Sequence, residues 1–213
     1  MKKQKQTKKA YSFKITLNDS SPKIWRRILV SKDYSFFDLH IVIQDAMGWF
    51  DSHLHSFEFT PQNSNRRIII QFPDPENDMF FEKPLDERRE KIRDYFVNVA
   101  KQCIYNYDFG DNWDHTIVFE GEKEIPSNQE LPFCKAGKNA CPFEDSGGIW
   151  GYQELLEILK DPKHEQYDDM KEWVKMFGIE NPKDYDPTYF EPQEVEFENP
   201  KERLKDWEEG FGV

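Results

Sequence analysis

The feature that most constrains the fold is a two-residue alternation of apolar and polar side chains in short segments. From Tyr11 to Leu17 every second residue is Tyr, Phe, Ile or Leu, and the residues between them are Ser, Lys and Thr. Successive side chains of a strand point to opposite faces, so this pattern predicts a half-buried strand. Segments 102–109 and 113–120 flank Gly110–Asn112, which predicts an antiparallel hairpin with a tight turn.

Other segments add strands and helices in an order typical of an α+β fold. Residues 24–30, 53–59 and 66–72 predict strands. Ser35 followed by Asp38 resembles a capping box, and a helix is predicted from there to Gly48. Further helices are predicted before Pro162, before Gly178 and after Asn199. The expected architecture is an antiparallel sheet of the α/β-roll type, with helices on one face and a helical C-terminal part.

Two regions lack a clear period and are predicted to be loops. Residues 73–91 are rich in Pro, Asp, Glu and Arg, with one helical turn expected over 85–88. Residues 121–148 are expected to form a long loop. The predicted organisation is a flexible basic tail over 1–10, a single domain over 11–190, and an acidic C-terminal extension with a short helix over 191–213.

The charge balance excludes some classes of partner. The formal net charge is −12, and the lysines of the first ten residues form the main basic cluster. A protein of this charge repels phosphate, so duplex DNA is not an expected partner; a protein or a small ligand is. No apolar stretch is long enough to span a bilayer. Three cysteines in 213 residues suit a reducing compartment, so a cytoplasmic location is expected.

Acids and histidines cluster at a few positions of the chain. The hairpin carries Asp108, Asp111, Asp114 and His115, and Glu144 and Asp145 precede Gly147-Gly148 at a predicted helix start. His53 and His55 share one face of a predicted strand and could chelate one metal ion. Carboxylates with histidines are what metal-dependent hydrolysis requires. We therefore expect His53 or His55 to contact at least one of Asp108, Asp111, Asp114, Glu144 and Asp145.

Structural roles are the alternative for every one of these residues. The histidines could pair with carboxylates in a half-buried position, Asp111 could form the turn, and Asp145 or Ser146 could cap the helix. Cys134 and Cys141 lack the paired spacing of a zinc site, although a zinc ion or a disulfide stays possible. No cofactor is predicted beyond a possible divalent metal ion.

Two tryptophans and two arginines on predicted strands also lead to expectations. Trp25 and Trp113 lie in segments of dense aromatic alternation, so both indoles are expected to be largely buried. Arg26 and Arg27 lie on opposite faces of one strand, and the buried one needs a partner. The acids of the hairpin are the expected partners.

Several stretches together resemble the Ri-plasmid ORF-3-like proteins, also labelled transposon passenger or TnpR-like proteins. They are PKIWRRILV, LHIVIQDAMGWFDSHLHSF, YNYDFGDNWDHTI, CPFEDSGGIWGYQELLEIL and DPTYF, over residues 11–190. The resemblance implies an α+β roll and no established activity. Members of this family often carry a cysteine where this chain has Ser146, so a thiolate cluster with Cys134 and Cys141 would lack a ligand here.

Three functions follow as hypotheses. The first is a non-catalytic binding or protein-interaction domain associated with mobile elements, because no complete catalytic signature is present. The second is a metal-dependent hydrolase that uses the His, Asp and Glu residues named above. The third, a resolvase, is discounted because the sequence shows neither a helix-turn-helix segment nor a basic face.

Overall fold

One sheet of eight strands organises the described residues, which in this computed structural model are 6–61, 66–73 and 83–211. The strands are β1 (Thr7–Leu17), β2 (Trp25–Val30), β3 (His55–Phe59), β4 (Ile68–Gln71), β5 (Leu85–Asp86), β6 (Gln102–Tyr107), β7 (Trp113–Pro126) and β8 (Phe133–Lys138). Their order is β5-β4-β3-β6-β7-β1-β2-β8. Neighbours pair antiparallel except β4 and β5, which pair parallel.

The α-helices are α1 (Phe36–Met47), α2 (Ile92–Phe96), α3 (Gly148–Lys160), α4 (Tyr167–Val174) and α5 (Pro200–Phe211). The α1 helix begins as predicted: the Ser35 side chain accepts from the Asp38 amide at 3.1 Å, and the Asp38 carboxylate accepts from the Ser35 amide at 2.7 Å. Gly48 ends this helix in the left-handed conformation, with φ of 85°. In the described part of the chain, no helix has the length and apolar composition needed to cross a membrane.

The core lies on one face of the sheet. Alternate residues of β1, β3, β6 and β7 pack there against α1, α2, α3 and α4, and the buried set is rich in aromatic rings. A second, smaller cluster of buried residues contains Ala10, Leu29 and Ile125. The predicted α+β fold, with helices on one face of the sheet, is confirmed.

The sheet extends beyond the predicted strands at two places. Thr7–Ala10, predicted to belong to a flexible tail, pair with residues 123–126 of β7. The predicted loop over 121–148 contains the end of β7 and the edge strand β8. Several of the residues that pair in the first of these extensions are Lys and Glu, as in the 2.6 Å ion pair of Lys9 with Glu122, so apolar periodicity does not mark that extension.

The segment after β4 also differs from its prediction. Leu85–Asp86 form the short strand β5 and not a helical turn, because their backbone pairs with Ile70 and Gln71. Glu87, which follows directly, is buried. The predicted surface excursion over 73–91 falls partly on residues 74–82, which lie outside the described residues.

Arg26 is the buried arginine of β2, and its partners are carbonyls where carboxylates had been expected. Its guanidinium donates to the carbonyls of Ala46 at 2.8 Å, Asn139 at 2.9 Å and Lys138 at 3.2 Å. Phe190 covers it at 3.6 Å from the ring centroid. Four carbonyls, including that of Trp25 at 3.0 Å, supply enough acceptors to hold the charge without a carboxylate.

The two tryptophans differ in burial. Trp113 is buried in the core as predicted. Trp25 is only half-buried, because it lies on the polar face of the sheet between Lys14 and Arg27, each about 5.2 Å from its ring centroid. Arg27 there binds Glu120 through two hydrogen bonds of 2.7 and 2.9 Å.

The α5 helix packs back onto the domain. Its Trp207 contacts Phe72 and Phe37, with ring centroids 5.2 and 6.4 Å apart. Its Arg203 reaches the Asp51 carboxylate at 3.4 Å. The C-terminal helix therefore joins the core through both apolar and charged contacts, while the predicted domain boundaries stay predictions.

Candidate functional site

Three turns meet at one end of the sheet: residues 49–54, 108–112 and 143–148, here called the three-turn surface. Hydrogen bonds join them in pairs. The Asp108 amide donates to the Leu54 carbonyl at 2.9 Å, the Phe50 amide to the Glu144 carboxylate at 2.9 Å, and the Gly147 amide to Asp111 at 3.0 Å. The convergence of these segments, predicted from their polar residues, is present.

Acidic residues of this surface adopt an uncommon backbone conformation. Asp51, Asp108 and Asp145 have φ of 59°, 56° and 59°. Asp and Asn tolerate this left-handed region better than other non-glycine residues, because their short side chains hydrogen-bond locally. Asparagine is therefore the substitution that removes each charge and keeps the backbone.

An outer cluster on this surface contains His53, Asp108 and Asp145. The Nε2 atom of His53 lies 3.1 Å from Asp145 Oδ1 and 3.7 Å from Asp108 Oδ2. The separation from Asp108 is too long for a hydrogen bond, and the shorter one from Asp145 is not accompanied by hydrogen-bond geometry. Within the described residues this nitrogen, shielded from solvent, therefore has no hydrogen-bond partner. The predicted contact between a histidine and these acids is confirmed; the role of the cluster stays a prediction.

His55 belongs to a separate, buried inner network. Its Nε2 contacts the Glu87 carboxylate at 2.7 Å, and its ring stacks on that of His40, with centroids 3.4 Å apart and planes within 3°. His40 Nε2 contacts Asp51 at 2.7 Å. His53 and His55 thus contact different carboxylates and belong to different clusters of metal-ligating side chains among the described residues. For His55 the arrangement is the alternative considered above, a histidine paired with a carboxylate.

The inner network has a defined direction of donation. Gln44 donates to the Tyr105 hydroxyl at 2.9 Å, that hydroxyl donates to His40 Nδ1 at 2.8 Å, and His40 Nε2–H donates to Asp51. Burial, and then the neighbouring His55, lowers the pKa of His40, which is therefore neutral at pH 7. Burial alone would raise the pKa of Asp51. The interactions of its carboxylate with His40 and Arg203 have the larger effect, so the pKa of Asp51 is below its ordinary value.

The inner network does not suit a metal ion as it stands, although ligand atoms of His40, Asp51 and His55 lie within 4.8 Å of one another. A metal ion binds an imidazole in the plane of the ring. The rings of His40 and His55 are nearly parallel, with centroids 3.4 Å apart. One ion near the two rings therefore cannot lie in the planes of both. We therefore regard this network as structural.

Three further predicted residues have structural contacts. Glu144 is buried and accepts from the Tyr107 hydroxyl. Asp114 accepts from the Asn106 side chain at 2.8 Å. Asp111 accepts from the amide of Gly147, the N-cap residue of α3. No described side chain caps this helix, so the capping predicted for Asp145 or Ser146 is not seen. The Asp111 backbone also lies so close to Gly148 that a Cβ there would be 2.4 Å from the Asp111 oxygen.

His115 is buried in the core beneath the three-turn surface. Its Nδ1 donates to the Trp113 carbonyl at 2.9 Å, and its ring packs against Trp49. Burial lowers the pKa of His115 to about 4. A histidine that is neutral and enclosed in this way cannot serve as a surface acid or base.

The low pKa of His115 predicts a loss of stability in mild acid. The unfolded chain takes up a proton near pH 6.5 while the folded chain does not, so stability falls as the pH drops below 6.5. From pH 7 to pH 5 we expect His115 to contribute a loss of about 2 kcal/mol. The measurement is urea unfolding at both pH values for the wild type and for His115→Gln.

The difference in pH dependence between the wild type and His115→Gln isolates the contribution of His115 to stability. Asp45, whose pKa is raised by burial to about 6, acts in the opposite direction but is present in both. An equal pH dependence in the two proteins would contradict the prediction.

The cysteines do not form a site within the described residues. All three are free thiols, and neither Cys134 nor Cys141 belongs to a described cluster of three metal-ligating side chains. Burial raises the pKa of Cys141 to about 12 and also raises that of Cys134. Both stay protonated at pH 7, whereas a metal ligand or a nucleophile must be a thiolate.

Sequence reasoning missed His40, Asp51 and Glu87. A signal existed for one of them: His40 and Gln44 both lie on the buried face of α1, where an amphipathic helix would place apolar residues. Asp51 and Glu87 lie in turns, and no local pattern indicates that a turn residue will be buried.

Known proteins resemble this chain along most of its length. The family model for plasmid pRiA4b ORF-3-like proteins matches residues 9–194. The uncharacterized protein y4hQ of Sinorhizobium fredii (strain NBRC 101917 / NGR234) is 38% identical over 162 residues, 75% of this chain and 78% of that protein.

A solved structure shows the same fold. The crystal structure of MM3350 from Methanosarcina mazei Go1, a protein of unknown function, is 40% identical, with a TM-score of 0.76. The match covers 89% of this chain and 98% of the other. The strands, the converging turns and these similarities agree: this chain belongs to the plasmid pRiA4b ORF-3-like family.

Proposed function

We propose that this chain is a non-catalytic protein-interaction domain, associated with mobile elements as the resemblance implies, and that the three-turn surface is its contact face. The observation that supports this is the exposure of large apolar side chains there. Phe50 is 63% exposed, Leu54 50% and Phe109 53%. Single exposed apolar residues are ordinary, but apolar side chains on joined turns are typical of a contact surface.

The turns that carry these side chains are firmly held. The Phe50 amide binds Glu144, and Leu54 and Asp108 share a backbone hydrogen bond. The Phe50 ring also stacks with Phe177, with centroids 6.1 Å apart. A preorganised surface loses little conformational entropy on binding, which favours affinity.

The charge around the apolar side chains indicates the partner. Asp108 and Asp145 lie in the same turns, and the net charge of the chain is −12. A partner of opposite charge associates faster and excludes competitors of the same sign. We therefore propose that the partner is a basic polypeptide segment with a bulky apolar anchor.

This proposal predicts a selective loss of peptide binding. A library of synthetic peptides with basic and aromatic residues is screened by fluorescence anisotropy in the presence of a chelator. We expect the combined change Phe50→Ser, Leu54→Ser and Phe109→Ser to weaken the best binder at least about tenfold, because central apolar anchors carry most of an interface's energy.

Val97 provides the matched control. It is 59% exposed and lies at the end of α2, outside the three turns, so Val97→Ser should bind like the wild type. Charge-reversed peptides should not bind. The proposal fails if no basic peptide binds the wild type, or if the triple variant and the wild type bind equally.

A metal-dependent hydrolase is the second candidate. The observation that favours it is the approach of His53 to Asp108 and Asp145. Hydrolysis of this kind needs a bound cation that activates water, so this candidate depends on whether these three residues hold one.

A further inference from the structure

We propose that His53, Asp108 and Asp145 form a binding site for a zinc ion on the three-turn surface. One imidazole nitrogen and two carboxylate oxygens are all within 4.8 Å of one another there. The inference does not rest on the proposed protein interaction: Asp108 and Asp145 enter both, but here the argument is the mutual distances of three ligating atoms, and the ligand is a metal ion.

The distances fit the geometry that zinc prefers. In a tetrahedral site with bonds of about 2.0–2.2 Å, adjacent ligand atoms lie about 3.4 Å apart. The two separations from His53 Nε2, 3.1 Å to Asp145 and 3.7 Å to Asp108, lie on either side of that value. An ion could bind all three with small side-chain adjustments.

The orientation of the side chains also favours a cation over a hydrogen bond. Asp108 Oδ1 is occupied by the Gly110 amide at 2.9 Å, which leaves Oδ2 directed towards His53. His53 Nε2 approaches both carboxylates without forming a hydrogen bond to either. Second contacts that fix a ligating carboxylate are a usual feature of metal sites.

The mixed ligand set selects the metal. Imidazole favours Zn²⁺ and related transition metals over Mg²⁺ and Ca²⁺, which prefer oxygen alone. Asp145 is 67% exposed, so a water molecule can reach the fourth position. Three protein ligands with an open position are typical of zinc sites that do chemistry.

Zinc binding by the full-length protein, measured by isothermal titration calorimetry, tests the proposal. We expect one site in the wild type, and affinity at least about tenfold lower in His53→Gln, in Asp108→Asn and in Asp145→Asn. Loss of an outer contact to a metal ligand already weakens binding about 10–100-fold, so loss of a ligand should do at least as much. Cobalt(II) bound at the same site should give the visible absorption of a tetrahedral complex.

Two controls separate this site from general metal affinity. Asp111→Asn removes a neighbouring carboxylate but keeps an oxygen that can accept from the Gly147 amide, and His164→Gln removes an exposed histidine elsewhere. Both should bind zinc like the wild type. Thermal unfolding checks that each variant is folded; His53→Gln and Asp145→Asn, at the more exposed positions, keep the test valid if Asp108→Asn is unstable.

The proposal is overturned if the wild type takes up no zinc, since His53 is then only the ionic partner of the two acids. It is also overturned if His53→Gln keeps the wild-type affinity, because the ligands would then be other groups such as the thiols. Peptide binding is measured with a chelator present, so this result and that of the proposed interaction are independent.

Discussion

Replacing Arg26 with alanine is expected to lower the free energy of unfolding by more than about 4 kcal/mol. The guanidinium joins the end of α1, through Ala46, to the segment around Lys138 and Asn139. Without it four carbonyls lose a donor, and each such loss at a buried position costs about 1–3 kcal/mol. The measurement is guanidinium chloride unfolding followed by tryptophan fluorescence.

Arg27 is the natural control for this experiment. It is next in the chain and binds Glu120 twice, but on the partly exposed polar face. Exposed ion pairs contribute about 0–1 kcal/mol, so Arg27→Ala should have a small effect. Similar losses in the two variants would show that the carbonyl contacts of Arg26 do not stabilise the fold as argued.

Replacing Asp51 with asparagine is expected to destabilise the protein by about 3 kcal/mol. The amide keeps the left-handed backbone but removes the negative charge of the carboxylate that accepts from neutral His40 and pairs with Arg203. Removing the buried carboxylate leaves the Arg203 guanidinium without a negative partner there, so the loss of stability exceeds that for an exposed ion pair. Urea unfolding of both proteins at pH 7 provides the measurement.

The pH dependence and a surface control refine this prediction. Since the folded pKa of Asp51 is below its ordinary 3.8, its contribution is present above pH 3.8 and is lost as the pH falls through the folded pKa. The gap between wild type and variant should therefore narrow in strong acid. Asp33, in an exposed ion pair with Arg93, is the control; if Asp33→Asn destabilises as much as Asp51→Asn, the burial argument is wrong.

The parts of the fold that were predictable are those set by local chemistry. The capping box of Ser35 and Asp38, and the alternation in β1 and β6, each depend on residues within one segment. The ion pair of Lys9 with Glu122 joins residues 113 positions apart. Both residues are polar, so no alternation of apolar and polar side chains marks these parts of β1 and β7.

For the candidate site, the sequence predicted that the three segments converge, but not which side chains contact one another. That His53 would meet acids from the turns followed from polar residues placed at strand ends. Which acid would bind which histidine did not follow, because His53 and His55 are two residues apart and yet contact Asp145 and Glu87 respectively. The partner of Arg26 was beyond sequence reasoning too, since every chain segment offers carbonyls.

The contact of Arg203 with Asp51 joins a residue beyond the end of the family match to the buried network within it. The family model ends at residue 194, whereas Arg203 lies in α5 and supplies a positive charge to a carboxylate of the buried network. Exchanging the segment after residue 194 would therefore alter the electrostatics of the buried network of this chain. In this chain the family match ends at residue 194, whereas the contacts that hold the buried network extend to Arg203.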